Sequence, residues 1–177
     1  AGDPTQGEYQ QALEILYALT FTIKMSKMSG NQLPDYYEYV VPPLEGLWWI
    51  SGGAFSSEVR NNWLWTAMIR QPEFVTPRVF VWALEECRRK KPGLDLSKAR
   101  FETFTEGLCA QIMHIGPYAD ETRSIDLLKA YMAENDLIDQ IGSERKHHEI
   151  YLSDPRKTTP EKLKTVLRHP VAYSHKF

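Results

Sequence analysis

Carboxylates set among aromatic rings are the combination in this sequence best suited to chemistry. The chain has 177 residues, of which five are tryptophan, nine tyrosine and seven phenylalanine, 12% aromatic in all. The densest stretch is Tyr36-Tyr37-Glu38-Tyr39-Val40-Val41-Pro42-Pro43-Leu44-Glu45-Gly46-Leu47-Trp48-Trp49, with Trp63 and Trp65 soon after. A second group, Glu149 and Tyr151, lies in His147-His148-Glu149-Ile150-Tyr151-Leu152. Aromatic faces attract flat apolar or cationic molecules, and a carboxylate among them supplies charge or proton transfer. The competing reading is a large core whose tyrosine tips reach water.

Strand alternation sorts these residues by face. Glu149, Tyr151 and His147 share one face of a strand. On the floor of an apolar pocket such a glutamate suits acid or base work; on a solvent face it is an ordinary His–Glu pair. Glu45, Leu47 and Trp49 share a face of another strand, while Trp48 and Ile50 point the other way. One of the adjacent tryptophans therefore packs inside and the other lines a cleft, and we favour Trp49 for the cleft. Glu45, beside a glycine and two prolines, could instead fix the strand corner by accepting backbone N–H bonds. Tyr37 and Tyr39 form one face of the preceding strand and Tyr36 the opposite one. Trp63 and Trp65, two apart on a helical reading, point about 200° apart, so they cannot line one wall. Trp82, beside Val81 and Leu84, reads as core. Tyr118 follows Gly116-Pro117 and precedes a helix. Its phenol could donate to an oxyanion, or its ring could simply pack in the turn.

Other chemistries find little support. Adjacent His147 and His148 point to opposite faces, and no HExxH or CxxC spacing exists, so no metal is expected. Glycine-rich phosphate loops and a GxSxG elbow are missing, so neither a cofactor nor acyl transfer is expected. A net charge of −2 and a pI near 6.2 steer the chain toward neither nucleic acid nor anionic membrane. No run approaches the ~18 apolar residues of a membrane span, and no basic-then-apolar leader opens the sequence. Cys87 falls on a helical pattern and Cys109 on a strand pattern, which suits reduced thiols and a cytoplasmic location. Arg88-Arg89-Lys90-Lys91 sits at a helix C-terminus, where cations complement the dipole.

The elements that must position the candidates follow from periodicity. A helix is expected over 8–28, a strand over 36–41, a Pro42-Pro43 corner and a strand over 44–50. Gly52-Gly53 breaks the pattern, and 58–70 reads as helical. Thr76-Pro77 opens a helix that runs to Lys91. Residues 101–115 are β-rich, and Asp120 caps a helix to about Glu134 with Ile125, Leu128 and Met132 on one face. Lys146–Leu152 and Thr165–Arg168 read as strands. The order predicts an α+β fold of two strand-helix-strand-strand modules, the first strand of the first being absent. Module one spans about 1–55, a helical linker about 56–97 and module two about 98–177, all in one domain.

Several stretches resemble GyrI-like small-molecule-binding proteins. They are Gly2-Asp3-Pro4, Tyr17-Ala18-Leu19-Thr20-Phe21-Thr22-Ile23-Lys24-Met25 and Val41-Pro42-Pro43-Leu44-Glu45-Gly46-Leu47-Trp48-Trp49. Glu106-Gly107-Leu108-Cys109-Ala110-Gln111, His114-Ile115-Gly116-Pro117-Tyr118 and Lys146-His147-His148-Glu149-Ile150-Tyr151-Leu152 belong with them. The resemblance implies two modules facing across a cleft for flat hydrophobic ligands, with a further N-terminal segment and strand ahead of Gly2. It is specific to a stand-alone subfamily that includes cyclopropanoid cyclopropyl hydrolases. These open the cyclopropane of DNA-alkylating products such as yatakemycin in an aromatic cage. A glutamate at the place of Glu149 commonly faces the ligand in this family. The expected site is then Glu149 and Tyr118 for catalysis, with Tyr37, Tyr39, Glu45, Trp49, Trp63 and Tyr151 around a planar hydrophobic small molecule. Tyr151 is the alternative to Tyr118 as oxyanion partner. Sequestration of planar drugs without catalysis, or inhibition of a protein partner as for the family's namesake, are the rival roles.

Overall fold

Residues 7–30, 32–50 and 63–174 of the chain are described by the computed structural model. They form α1 (Gly7–Lys24), β1 (Leu44–Ile50), β2 (Trp63–Ile69), α2 (Pro77–Lys90) and β3 (Cys109–Ile115). Then follow α3 (Glu121–Glu134), β4 (Leu137–Asp139), β5 (His147–Tyr151) and β6 (Lys164–Tyr173). This is the expected α+β class. The sheet order is β2-β1-β5-β6-β3, with β4 paired to β6. The β1–β5, β5–β6, β3–β6 and β4–β6 ladders are all antiparallel. No helix among the described residues is long and apolar enough to cross a membrane.

Two compact units divide the chain. The helical unit draws on Asp3–Pro42 and Ala67–Thr103. Its core joins Leu19 and Ile23 of α1 to Val79, Ala83 and Cys87 of α2, with Phe74, Val75, Leu33 and Leu96 completing it. The spacing Val79, Ala83, Cys87 is one helical stripe, and each large aliphatic side chain buried there contributes about 1.5–3 kcal/mol. Thr76 caps α2 by accepting from the Val79 N–H at 3.4 Å, and Pro77 occupies the first turn as expected. The sheet unit draws on Pro43–Thr66 and Phe104–Phe177. In it α3 lays Leu128 and Met132 on Ala110 and Val171.

Several local expectations are corrected. Residues 36–41 form no strand. Pro34 precedes them and Pro42-Pro43 follow, so the segment is bracketed by residues that cannot donate to a ladder. Tyr36 and Tyr39 pack instead on the helical core, and the rings of Tyr36, Tyr37 and Tyr39 lie 5.3, 5.4 and 5.8 Å from that of Phe74. Trp63–Ile69 is strand, not helix. Its residues are apolar on both faces, which removes the periodic signal, while two tryptophans, a threonine and an isoleucine favour extended backbone. The residues 58–62, Gly52-Gly53 and Gly2-Asp3-Pro4 lie outside the described residues. Asp120 makes no capping bond; a 3₁₀ turn over Tyr118–Asp120 leads into α3 instead. β6 runs well past Arg168, to Tyr173.

Candidate functional site

Strand register decides which side chains meet. Residues directly opposed in an antiparallel ladder share a face. Gly46 opposes Glu149, Trp48 opposes His147, and Leu44 opposes Tyr151. Across β5 and β6, Glu149 opposes Leu167 and Tyr151 opposes Thr165, which in turn opposes His114 on β3. One face therefore carries Trp48, Glu149, Tyr151 and His114.

On that face Glu149 is only 7% exposed, so its carboxyl needs partners inside the protein. Tyr151 donates its O–H to Glu149 Oε2 at 2.6 Å, and His147 Nε2 lies 3.1 Å from Oε1. Tyr151 Oη in turn accepts from the Trp48 indole N–H at 3.0 Å. That indole reaches Tyr151 by crossing Gly46. A Cβ on Gly46 would stand 2.7 Å from Trp48 Nε1 and 3.2 Å from Tyr151 Oη, so only glycine leaves the path open. The Trp63 ring meets Trp48 edge-on at 5.4 Å, and strand alternation puts Trp65 on Trp63's face. The expectation that Trp63 and Trp65 diverge is thus corrected with the helix that produced it.

Tyr118 closes the same surface, its ring perpendicular to that of Tyr151 at 6.0 Å. His114 fixes the turn that presents it. Its Nε2–H donates to the Pro117 carbonyl at 3.1 Å, because a carbonyl can only accept, and its Nδ1 lies 2.9 Å from Ser124 Oγ on α3. Gly116 supplies the positive φ of 140° at this bend. Burial raises the Tyr118 phenol above its ordinary pKa, and the charges of Glu121, Glu149 and Asp154 add to it. The group therefore stays a donor at neutral pH. Glu121, first residue of α3, is a carboxyl that sequence reasoning misses. Burial and then the charge of Glu149 push it up to about 9.

The opposite face carries Glu45, Trp49, His148 and Arg168. His148 Nε2 bonds Glu45 Oε2 and its Nδ1 bonds Glu106 Oε1, both at 2.9 Å. Glu106 Oε2 accepts from Arg168 at 2.7 Å, and Arg168 also donates to Gln111 at 2.9 Å. Burial opposes a charge on His148, but the bonds to Glu106 and Glu45 outweigh it and raise its pKa. Burial likewise opposes the Glu106 charge, and His148 and Arg168 overcome it, so that carboxyl is held below its usual range.

Of the sequence-predicted site residues, the structure brings Glu149, Tyr151, Tyr118 and Trp63 together. Glu45 and Trp49 are placed on the other side of the sheet from Glu149, because register pairs Glu45 with Ile150 and Trp48 with His147. Glu45 bonds His148 rather than a strand-corner amide, and Lys146 Nζ sits 4.8 Å over the Trp49 ring. Trp48, not Trp49, shares the face of Glu149, and it is the buried one of the pair. Tyr37 and Tyr39 belong to the helical unit, where burial pushes the Tyr39 phenol up to about 12. The part played by His114 also escapes sequence reading, although its three-residue distance from Pro117 is the spacing of a turn clamp.

Comparison with known proteins agrees with this architecture. The description of a GyrI-like small molecule binding domain matches residues 1–172. The fold is similar to the crystal structure of an uncharacterized conserved protein from Listeria innocua, with 50% identity and a TM-score of 0.93 over 97% of this chain and 83% of that one. Two crystal structures of hydrolases from the same organism give 48% and 49% identity with TM-scores of 0.87 and 0.88, at the same coverage. No curated protein matches the chain.

Proposed function

Because the chain belongs to the GyrI-like small-molecule-binding family, we propose that it is a hydrolase of flat apolar molecules that opens a strained cyclopropane by adding water. The observation that carries this reading is the hydrogen-bonded sequence Trp48–Tyr151–Glu149, a buried carboxyl held among aromatic rings. The hydrolase names of the two Listeria structures support the reaction class.

In cyclopropanoid substrates the strained ring is conjugated to a dienone, and opening it creates a phenol. Aromatisation drives the reaction, so the protein has to orient water and steady the oxygen that gains charge. Glu149 is the base. Its Oε2 already accepts a hydrogen bond from the Tyr151 hydroxyl and its Oε1 faces His147, which leaves the carboxyl in a fixed orientation for accepting a proton from water. Since the Tyr151 hydroxyl is committed to Glu149, Tyr118 is the phenol that donates to the developing oxyanion. Trp48 and Trp63 provide the flat apolar wall, with Trp65 continuing it. The protein does this chemistry in a cytoplasmic, xenobiotic-detoxifying role.

The decisive experiment is mass analysis of a cyclopropanoid compound after incubation with the protein. Gain of one water that depends on Glu149 supports the reading. Tight binding with the ligand unchanged would make this a sequestering protein, and absence of binding would overturn the site altogether.

A further inference from the structure

We propose that Glu121 is a second catalytic carboxyl of this site, the group that hands a proton to the substrate oxygen while Glu149 takes one from water. This rests on the hydrolase reading above and adds to it a residue with a separate job.

α3 begins at Glu121, immediately after the Tyr118–Asp120 turn that His114 holds through Pro117 and Ser124. The residue is thus anchored beside the Tyr118 ring that meets Tyr151. Its Oε1 is buried and has no hydrogen-bond partner among the described residues. Native proteins rarely leave a buried carboxyl oxygen unmatched unless a ligand or a proton occupies it. A helix N-terminus ordinarily favours an anion, but here burial and the charge of Glu149 outweigh it.

The surroundings work against a second negative charge. From β5 comes the charge of Glu149, and from its own turn the phenol of Tyr118, itself under the influence of Asp154. Tyr151 and His147 are bonded to Glu149, and His114 is bonded to Pro117 and Ser124. No lysine or arginine ion pair reaches Glu121 or Glu149 among the described residues. The carboxyl therefore keeps its proton through neutral pH, in line with a titration pushed up to about 9. Two carboxyls in one site with different surroundings are the arrangement that separates a base from an acid.

The oxygen of water bonds to the ring carbon as the strained carbon–carbon bond breaks. The electron pair of that bond passes through the dienone to its carbonyl oxygen. Glu149 takes the proton of the water and Glu121 gives its proton to the new phenol oxygen, beside the Tyr118 hydroxyl. The product is substrate plus one water, and solvent returns the proton from Glu149 to Glu121 afterwards.

The test combines kinetics with a measurement that needs no substrate. Carboxyl-labelled glutamate observed by ¹³C NMR, assigned through Glu121→Gln, is expected to show one resonance titrating near pH 9. With a cyclopropanoid substrate, wild-type kcat should fall as pH rises through that point. Glu121→Gln should lower kcat by about 10²-fold with KM little changed, and abolish that alkaline limb. A Glu121 resonance titrating in the ordinary carboxyl range overturns the proposal, and so does a folded Glu121→Gln with undiminished kcat while Glu149→Gln is slow. If wild type leaves the substrate intact, the hydrolase reading fails, and Glu121 has no catalytic part whatever its titration.

Discussion

On one face of the sheet His148 stands between Glu45 and Glu106, with Arg168 closing the chain. One strand position away, on the other face, His147 and Tyr151 hold Glu149, and Glu121 lies nearby with an unmatched oxygen. Both faces use glutamate and histidine, yet the first matches two carboxylates with an imidazole and a guanidinium, whereas the second gathers two carboxyls with no arginine ion pair among the described residues. Matched charges hold the sheet together. By the reading proposed above, the carboxyls of the second face keep a proton to give and a place to take one, at some cost in stability.

The sharpest way to break this contrast is to neutralise one glutamate on each face. Glu149→Gln should retain ligand binding and slow turnover by roughly 10²–10⁴-fold, while Glu45→Gln should leave kcat unaltered in the folded protein. Steady-state kinetics of the pair decide it, and the reverse pattern would exchange the roles of the two faces. The tryptophans give the next largest effect. Trp48 is 3% exposed, so Trp48→Ala should cost about 3–5 kcal/mol and remove binding of a planar ligand. Trp49→Ala, losing a cation–π contact with Lys146, should cost about 1 kcal/mol and leave binding intact. Thermal melts with ligand titration separate them.

A third comparison concerns stability alone. Glu106→Gln leaves His148 and Arg168 short of a counter-charge and should cost about 3 kcal/mol, with turnover per folded molecule unchanged. The last comparison is a pH slope. Glu121 is raised on folding, so its contribution is fully present below the ordinary value of 4.5 and is lost as pH rises to about 9. His148 is also raised, so its contribution is fully present below about 6.5 and lost as pH climbs through its folded value. Glu106 is lowered, so its contribution exists above 4.5 and fades as pH falls through its folded value. Melts of Glu121→Gln across pH 5–9 should therefore show a shallower decline than wild type, with the His148 part remaining.

How much of this was legible in the sequence depended on whether the cause was local. The Thr76-Pro77 start of α2, the β1 segment and the shared face of Glu149 and Tyr151 follow from caps and alternation, and all three are present. Alternation also separates Trp48 from Trp49, but it cannot say which one faces Glu149. That choice is made by the pairing of β1 with β5, about a hundred residues away in sequence, which periodicity does not encode. Trp63–Ile69 misleads because it is apolar on both faces, and Tyr36–Val41 because tyrosine and valine favour strands without supplying a partner to pair with. Glu121 is invisible for another reason. A glutamate in the first turn of a helix is commonplace, and only the packing of Tyr118 and Glu149 around it makes this one unusual.

Gly46 has a consequence for how this protein can vary. Every substitution there adds at least one carbon, at the point where Trp48 passes on its way to Tyr151. The position has no conservative replacement, so drift at this single backbone site would uncouple the indole from the tyrosine while leaving every named side chain in the sequence. Among natural variants of this chain, the residue two places before Trp48 is thus a better marker of a working site than the tryptophan itself.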